Sequence, residues 1–220
     1  MVYVTGDMHG FPDRLHRTQL TADDTLIVCG DLGYGMNPAS AIDFFIEYLA
    51  SKPYTVLFID GNHDNHERLA ELPEEWRYGG RVHRVRDNVF HLMRGQIYTI
   101  EDRTFFTLGG AASRDKHYRQ QRGLPWWPEE VPSAEELMEA AENLETVGWR
   151  VDTVLTHTAP RVLMEQLQQV APPDEAPLTA FLDALWQDLQ FNEWYFGHWH
   201  VDTSPAEGVY AVHETILPVE

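Results

Sequence analysis

Short apolar runs, most of them followed by glycine and a potential metal ligand, recur along this chain of 220 residues. A run such as Thr25–Cys29 is apolar almost throughout, which is typical of a strand buried on both faces of a sheet. Side chains that follow parallel strands collect at the carboxyl edge of the sheet, where ligands bind. The chain must therefore fold so that several strand ends meet. The segments with this arrangement are Gly6–Gly10, Gly30–Gly33, Gly61–Asp64, Thr156–His157 and Gly197–His200.

Strands and helices alternate over the first third of the chain. The patterns predict strands at 1–5, 25–29 and 54–59, with helices at 12–19, 38–50 and 65–72. In the second helix, Ile42, Phe45, Ile46 and Leu49 fall on one face, as expected for a helix packed on a sheet. Alternating elements of this kind predict a buried, largely parallel sheet.

The remainder of the chain predicts a second set of strands and more helices. Four short strands are expected to form an antiparallel meander, followed by a polar stretch without clear periodicity at 111–132. Ser133 and Glu136 form a capping-box pattern that predicts a helix at 133–146. No linker interrupts the chain, so we expect one domain, residues 1–220, in the α/β class, with two facing mixed sheets flanked by helices. The meander strands are predicted at 82–85, 89–92, 96–100 and 104–108, the later strands at 151–155, 194–196, 209–213 and 216–219, and the later helices at 161–169 and 177–190.

Charge and cysteine content restrict the classes of function. The net charge of −19 argues against stable binding of nucleic acid or of an anionic membrane. A small anionic substrate is compatible with it, because bound metals can reverse the local charge. The single cysteine, Cys29, permits no internal disulfide. No apolar run approaches the ~20 residues of a membrane span and no signal peptide is evident, so we expect a soluble, cytoplasmic protein.

The strand-end segments supply the donors of a metal site. Asp7 and His9 stand two residues apart, as do His198 and His200, so both members of each pair can reach one ion. Mixed nitrogen and oxygen donors suit manganese, iron, zinc, cobalt or nickel, and we expect manganese. The set is large enough for two divalent metal ions that share a carboxylate. The seven candidate ligands are Asp7, His9, Asp31, Asn62, His157, His198 and His200.

These motifs resemble those of the calcineurin-like metallophosphoesterase superfamily. The family pattern is Asp-x-His, Gly-Asp, Gly-Asn-His-Asp/Glu, His and Gly-His-x-His, and the match spans residues 5 to 200. The resemblance implies a four-layer αββα sandwich. It also implies that Asp31 bridges two metals, one held with Asp7, His9 and His200 and the other with Asn62, His157 and His198. Within the superfamily, the chain is most similar to small bacterial phosphoesterases.

His63 follows the candidate ligand Asn62 but is not needed for coordination. The expected reaction is attack on phosphorus by a hydroxide shared between the metals, with Asp31 and His63 as catalytic residues. His63 is predicted to be the general acid that protonates the leaving alkoxide. The alternative is that His63 donates a hydrogen bond to the bound phosphate.

The chain departs from the protein Ser/Thr phosphatases, which carry Gly-Asp-x-x-Asp-Arg. Tyr34 and Gly35 stand where that pattern has its second Asp and its phosphate-clamping Arg. This weakens an assignment as a protein phosphatase. It also leaves open what orients His63, for which adjacent Asp64 is a candidate.

A basic segment offers a replacement for the missing arginine. Residues 113–122 hold four of the 16 basic residues and directly follow a predicted strand. We expect Arg114 and Lys116 to contact substrate together with Asn62 and His63. The alternative is a solvated surface loop with incidental charge.

The function favoured by these features is metal-dependent hydrolysis of phosphomonoesters or phosphodiesters, with a small phosphorylated molecule as substrate. A phosphatase specific for a phosphoprotein or a nucleotide is the alternative among enzymes. A non-catalytic scaffold of the same fold is disfavoured because every expected ligand is present. The oligomeric state stays open.

Overall fold

The computed structural model of the protein describes residues 1–35 and 39–220, with side chains described for 1–35 and 44–220. The strands are β1 (Val2–Thr5), β2 (Thr25–Cys29), β3 (Thr55–Ile59), β4 (Glu74–Arg77), β5 (Gly80–Arg86), β6 (Val89–Leu92), β7 (Ile97–Ile100), β8 (Arg103–Leu108), β9 (Thr153–Thr156), β10 (Glu193–Phe196), β11 (Thr203–Ala206), β12 (Val209–Ala211) and β13 (Leu217–Pro218). The helices are α1 (Ala39–Ala50), α2 (His66–Ala70), α3 (Lys116–Arg122), α4 (Ala134–Thr146), α5 (Arg161–Gln166) and α6 (Ala176–Asp188). Short 3-10 helices cover Asp13–Arg17, Pro128–Glu130 and Pro173–Glu175.

The first sheet has the strand order β13-β1-β2-β3-β6-β5-β4. Its central strands β1, β2, β3 and β6 run parallel, whereas β13, β5 and β4 are antiparallel to their neighbours. The parallel register places the carboxyl ends of β1, β2 and β3 side by side at one edge.

The second sheet has the order β11-β12-β10-β9-β8-β7, again with a parallel centre formed by β12, β10, β9 and β8. The antiparallel strands β11 and β7 lie at its edges. Both sheets are therefore mixed, as predicted, and each presents a row of parallel carboxyl ends.

Alternation along β2 explains how the layers assemble. Ile27 and Cys29 face the core between the two sheets, together with Phe105 and Leu155 of the second sheet. The intervening residue Val28 faces the opposite way, into a core that the first sheet shares with α1. Leu182 of α6 belongs to a third core, on the outer face of the second sheet. Three cores between four layers confirm the predicted αββα sandwich.

The predicted four-stranded meander is wrong. β5 pairs with β6 and β7 pairs with β8, but β6 and β7 belong to different sheets. The chain crosses between the sheets at Arg94 and Gly95. Gly95 has φ +69° and packs against Ala140 of α4, while Arg94 is buried against Asp60. A turn pattern in the sequence fits both a hairpin and a crossing between sheets. Tertiary contacts determine which of the two forms.

Other element boundaries differ from the prediction. The expected helix at 12–19 is a 3-10 helix of five residues. β4, β11 and α3 were not predicted. Helix α1 covers Ala39–Ala50. The predicted helix start at Pro38 and the side chain of Ile42 lie outside the residues that the structure describes. Phe45, Ile46 and Leu49 are buried as expected.

Within the described ranges, no helix is both long and apolar enough to cross a bilayer.

Candidate metal centre

Five of the seven candidate ligands have a left-handed backbone conformation. The φ angles are 49° at Asp7, 48° at His9, 52° at Asp31, 68° at His198 and 51° at His200. Such a conformation costs a non-glycine residue about 1–3 kcal/mol and persists only where the surrounding structure determines it. Strain of this kind is concentrated at functional sites, so the ligand loops have the backbone character of such a site.

Hydrogen bonds between neighbouring loops hold these conformations. The backbone N–H of Asp7 donates to Gly30 O at 3.1 Å, and that of His9 donates to Asp31 O at 2.8 Å. Arg14, in the 3-10 helix, donates to the carbonyl of Asp7 at 3.1 Å. The loops after β1 and β2 therefore form one hydrogen-bonded unit. Sequence reasoning did not identify Arg14, because a single arginine beside a loop carries no distinctive signal.

Asp7, His9, Asp31 and His200 converge at the sheet edges. Each offers one donor atom, and the four atoms lie within 4.8 Å of one another. His9 Nε2 lies 3.0 Å from His200 Nε2, and His200 Nε2 lies 3.7 Å from Asp7 Oδ1. Two imidazoles and two carboxylates at these distances form a donor set that fits a transition-metal ion.

Asn62, His157 and His198 form an adjacent group. Asn62 Oδ1 lies 3.1 Å from His157 Nε2 and 3.0 Å from His198 Nδ1. The other ring nitrogen of His198, Nε2, is buried and makes no hydrogen bond to any residue that the structure describes. All seven candidate ligands therefore lie in one region.

Asp31 joins the two groups. Its Oδ2 lies 3.8 Å from His9 Nε2, and its Oδ1 lies 3.4 Å from His157 Nε2. The backbone N–H of His63 also donates to Oδ1, at 2.7 Å. One oxygen of the carboxylate thus faces each group, which is one of the arrangements in which two cations can share a carboxylate.

Outer contacts orient the second group. The ring nitrogen Nδ1 of His157 lies 2.8 Å from Cys29 O and must donate to it, so in the neutral ring Nε2 carries the lone pair. Asn62 Nδ2 donates to Ser113 Oγ at 3.1 Å, which aims Oδ1 at the histidines. Lone pairs of His157, Asn62 and Asp31 consequently face one another. Only a proton or a cation between them makes this arrangement favourable, so the donor set fits a metal.

The protonation of the metal-free site follows from burial and charge. Burial alone would lower the pKa of His157, but the carboxylates of Asp31 and Asp7 outweigh it and raise that pKa to about 10. Burial would raise the pKa of Asp31, yet His157 holds it below its usual range. Burial, with a contribution from Asp31, raises the pKa of Asp7 to about 8 against the pull of His157. In the metal-free site, protons on Asp7 and His157 thus supply the positive charge that a bound divalent ion would supply.

Gly30 lets the two sheets approach each other at the site. Its φ is +82°, and a Cβ at this position would lie 2.1 Å from His157 Nδ1. A side chain here would displace the imidazole, so the glycine that precedes Asp31 is a steric requirement.

His63 lies beside the ligands, and the residue that holds it is Arg119. Arg119 Nη2 lies 3.0 Å from His63 Nδ1. The suggestion that Asp64 orients His63 is wrong, because its carboxylate accepts from the backbone N–H groups of Gly33, Tyr34 and Gly61 at 2.7–2.9 Å. Asp64 instead ties the loops after β2 and β3 together.

Arg119 was not predicted as a site residue. It lies in α3, within the stretch that shows no apolar periodicity. A signal was nevertheless present: Asp115 and Arg119 stand four residues apart, as in a helical ion pair, and Gly123 ends the helix.

A cleft of about 300 Å³ opens beside the ligands. Asp31, Asn62, His63 and Arg114 contribute to its lining. The guanidinium of Arg114 is exposed and donates to Gln169 Oε1 at 3.1 Å. Lys116 turns toward Asp174, whose carboxylate lies 2.5 Å from Nζ. Of the two predicted clamp residues, Arg114 faces the cleft and Lys116 forms an ion pair outside it.

Comparisons with known proteins identify a family and a similar fold. A family model described as calcineurin-like phosphoesterase matches residues 1–202. The fold is similar to that of a phosphopantetheinyl hydrolase (PptH) from Mycobacterium tuberculosis, with 16% sequence identity and a TM-score of 0.51. That likeness covers 96% of this chain and 87% of the other chain, and at this identity it concerns the fold alone. No curated protein matches the sequence.

Proposed function

The chain belongs to the calcineurin-like phosphoesterase family and is a metal-dependent phosphoric ester hydrolase, and we propose that it cleaves small phosphorylated molecules at a two-metal site. The proposal covers phosphomonoesters and phosphodiesters. It concerns the substrate, the number of metals and the residues that act on them.

The position of Asp31 carries the two-metal proposal. Its two carboxylate oxygens approach His9 and His157, which belong to different ligand groups. A site for one ion would need only the four residues Asp7, His9, Asp31 and His200. The additional convergence of Asn62, His157 and His198 supports a second ion.

We assign one metal to Asp7, His9, Asp31 and His200, and the other to Asp31, Asn62, His157 and His198. Two divalent cations supply Lewis-acid chemistry, since they lower the pKa of water and neutralise charge on a phosphate. The nitrogen and oxygen donors favour manganese, with iron, zinc, cobalt and nickel as alternatives.

The protein side chains of the cleft act on the phosphate and its substituent. His63 faces the cleft, where it can either protonate the leaving oxygen or donate a hydrogen bond to a phosphate oxygen. Arg114 is placed at the rim to pair with a negative group of the substrate. A cleft of about 300 Å³ fits a small molecule better than an extended chain.

A substrate panel tests the proposal. The protein, purified without chelator, is assayed with phosphomonoesters, linear and cyclic phosphodiesters, nucleotides and phosphopeptides, with manganese, iron, cobalt, nickel and zinc in turn. We expect metal-dependent turnover that is fastest on a small ester. Turnover confined to phosphopeptides would support a protein phosphatase instead.

Metal analysis with Asp31→Asn tests the shared carboxylate. We expect the wild-type protein to bind two metal ions per chain and the variant to lose both bound metal and turnover. Asp87→Asn, a change at an exposed carboxylate in the turn after β5, is the matched control. One metal per chain in the wild-type protein would contradict the two-metal assignment.

A further inference from the structure

Three contacts fix the guanidinium of Arg119, although α3 is a short surface helix. Arg119 Nε lies 2.8 and 2.9 Å from the two carboxylate oxygens of Asp115. Nη1 donates to the carbonyl of Pro125 at 3.2 Å, and Nη2 reaches His63 Nδ1 at 3.0 Å. The side chain of Arg119 is 13% exposed, against 48% for Asp115. The arginine is therefore held in place and directed at the histidine.

The contact between Arg119 and His63 determines where the imidazole carries its proton. A guanidinium can only donate, so His63 Nδ1 must accept. An imidazolium would bear a proton on Nδ1 and would present a second donor to Arg119. While the contact is formed, His63 is therefore the neutral imidazole with its proton on Nε2.

We propose that Arg119 is a positioning residue that holds His63 as an Nε2–H donor, so that His63 donates a hydrogen bond to a phosphate oxygen and does not protonate the leaving group. This inference rests on the proposed phosphoesterase function and narrows the role of His63 within it. It favours the alternative, hydrogen-bonding role over the general-acid role that the sequence predicts.

The surroundings of His63 agree with this role. Its ring lies on the cleft and packs edge-on against His9, with 5.5 Å between ring centroids. Nε2 lies across the ring from Arg119 and makes no hydrogen bond to the residues that the structure describes. It is thus free to donate to a ligand in the cleft.

A neutral imidazole is a weak acid but a good hydrogen-bond donor. In this role His63 transfers no proton. The oxygen of water bonds to phosphorus and its proton passes to solvent, the ester P–O bond breaks, and the leaving oxygen takes a proton from solvent water. The hydrogen bond stabilises negative charge on the phosphate in the transition state, an effect worth about 10²–10³ in rate for a single positioned donor.

Kinetics on two leaving groups separate the two roles. A hydrogen-bond donor affects good and poor leaving groups alike, whereas a general acid matters most for poor ones. We expect His63→Ala to lower kcat by about 10²-fold on both p-nitrophenyl phosphate and an alkyl phosphate. We expect Arg119→Ala to lower kcat about 10-fold on both, with KM little changed. Arg119→Lys should recover only part of the loss, because an ammonium group can donate to Nδ1 but lacks the planar fork that also binds Asp115 and Pro125.

Nuclear magnetic resonance reads the position of the proton directly. In the zinc-loaded protein with ¹⁵N-labelled histidine, we expect His63 to carry its proton on Nε2. Arg119→Ala should shift part of the population to the Nδ1–H form. Asp115→Asn, which loosens Arg119 from its carboxylate partner, should do so to a smaller extent. Arg122→Ala, a change of the same residue type in the same helix, is the control and should leave the tautomer and kcat unchanged.

Each outcome decides between the hypotheses. A loss in His63→Ala that is much larger for the alkyl phosphate would overturn the inference and restore the general acid, while phosphoester hydrolysis would stand. A protonated Nδ1 in the wild-type protein, or an unchanged tautomer in Arg119→Ala, would overturn it as well. Absence of turnover on every ester would refute the proposed function instead, and the tautomer measurement would still test the role of Arg119.

Discussion

The backbone N–H of His198 donates to both carboxylate oxygens of Asp7, at 2.9 and 3.0 Å, although the two residues follow strands of different sheets. Asp7 follows β1 of the first sheet, and His198 follows β10 of the second. This bond joins the two halves of the metal centre across the sandwich. The site therefore exists only when the sheets are docked.

Metal affinity should rise with pH. In the metal-free protein, Asp7 has a pKa raised to about 8 by burial, and His157 has a pKa raised to about 10 by Asp31 and Asp7 despite its burial. Both groups hold protons at pH 7 and must lose them to bind a metal. We expect manganese to bind more tightly at pH 8 than at pH 6, with release of protons. Calorimetry in two buffers of different ionisation enthalpy measures this release, and equal affinity at both pH values would contradict it.

The stability of the metal-free protein should follow the opposite trend. The folded pKa values of Asp7 and His157 lie above their unfolded values of 3.8 and 6.5. Their stabilising contribution is complete below those unfolded values and is lost as pH rises through about 8 and about 10. Thermal unfolding in the presence of chelator should give a lower Tm at pH 9 than at pH 6.5. Asp7→Asn should show a smaller decrease, since it lacks one of the two groups.

Gly30→Ala should damage the site more than an alanine at another left-handed glycine. At Gly30 the new Cβ would lie 2.1 Å from His157 Nδ1, whereas at Gly148, with φ +65°, it would meet nothing within 4 Å. We expect Gly148→Ala to lower the free energy of unfolding by about 1 kcal/mol, and Gly30→Ala by about 3 kcal/mol or more. Urea titration and metal analysis measure both effects. Equal losses of unfolding free energy in the two variants would show that the left-handed backbone conformation, and not the contact with His157, causes the destabilisation.

Arg94 should be essential for stability where the chain crosses between the sheets. Its buried guanidinium donates to Asp60 at 2.6 and 2.9 Å, and this arginine outweighs burial to hold the pKa of Asp60 well below its usual range. Arg94→Met removes the guanidinium and its two hydrogen bonds from the buried carboxylate of Asp60, which keeps its contact with His91 Nε2 at 3.1 Å, at a cost of about 3–5 kcal/mol. Arg84→Met, at a largely exposed ion pair with Asp87, should cost less than about 1 kcal/mol.

The sign of the pH dependence provides a second check on Arg94. Because the pKa of Asp60 is depressed, the contribution of the pair is present above the unfolded value of 3.8 and is lost as pH falls through the folded pKa. The difference in unfolding free energy between the wild-type protein and Arg94→Met should therefore narrow in strong acid. A difference that stays constant would argue that Arg94 acts through packing.

Arg114 should contribute to substrate binding, and Lys116 much less. Arg114 lines the cleft, whereas the ammonium of Lys116 is paired with Asp174. We expect Arg114→Ala to raise KM about 10-fold with little change in kcat, as for a charge-assisted hydrogen bond formed equally in ground and transition states. Lys116→Ala should change KM less than threefold, and Arg122→Ala serves as the control. A larger effect at Lys116 would mean that its ion pair opens when substrate binds.

The convergence of the candidate ligands could be predicted because it follows from topology. Residues after parallel strands must meet at one edge, so the strand order alone predicts that Asp7, Asp31 and Asn62 are neighbours. The fold class and the family were predicted from the same motifs, and both are confirmed. Which residue is a metal ligand stays a prediction that metal analysis must test.

What surrounds the ligands could not be predicted, because it depends on tertiary contacts. Arg119 reaches His63 across 56 residues of chain, and its helix lacks an apolar face that would reveal it. The crossing at Gly95 resembles a hairpin turn in sequence, and its packing against Ala140 makes it a connection between sheets. Asp64 looked like a partner of His63 by adjacency, but the turn directs its carboxylate to backbone N–H groups.

The candidate ligands that have a left-handed backbone conformation supply donor atoms to the site but lower the stability of the fold. Replacing His9 or His200 by glycine would remove a donor and would also relieve an unfavourable backbone angle. The folded, metal-free chain would then be harder to unfold while it lacks a candidate metal ligand. The positive φ angles of these loops are therefore a folding cost that accompanies the proposed metal centre.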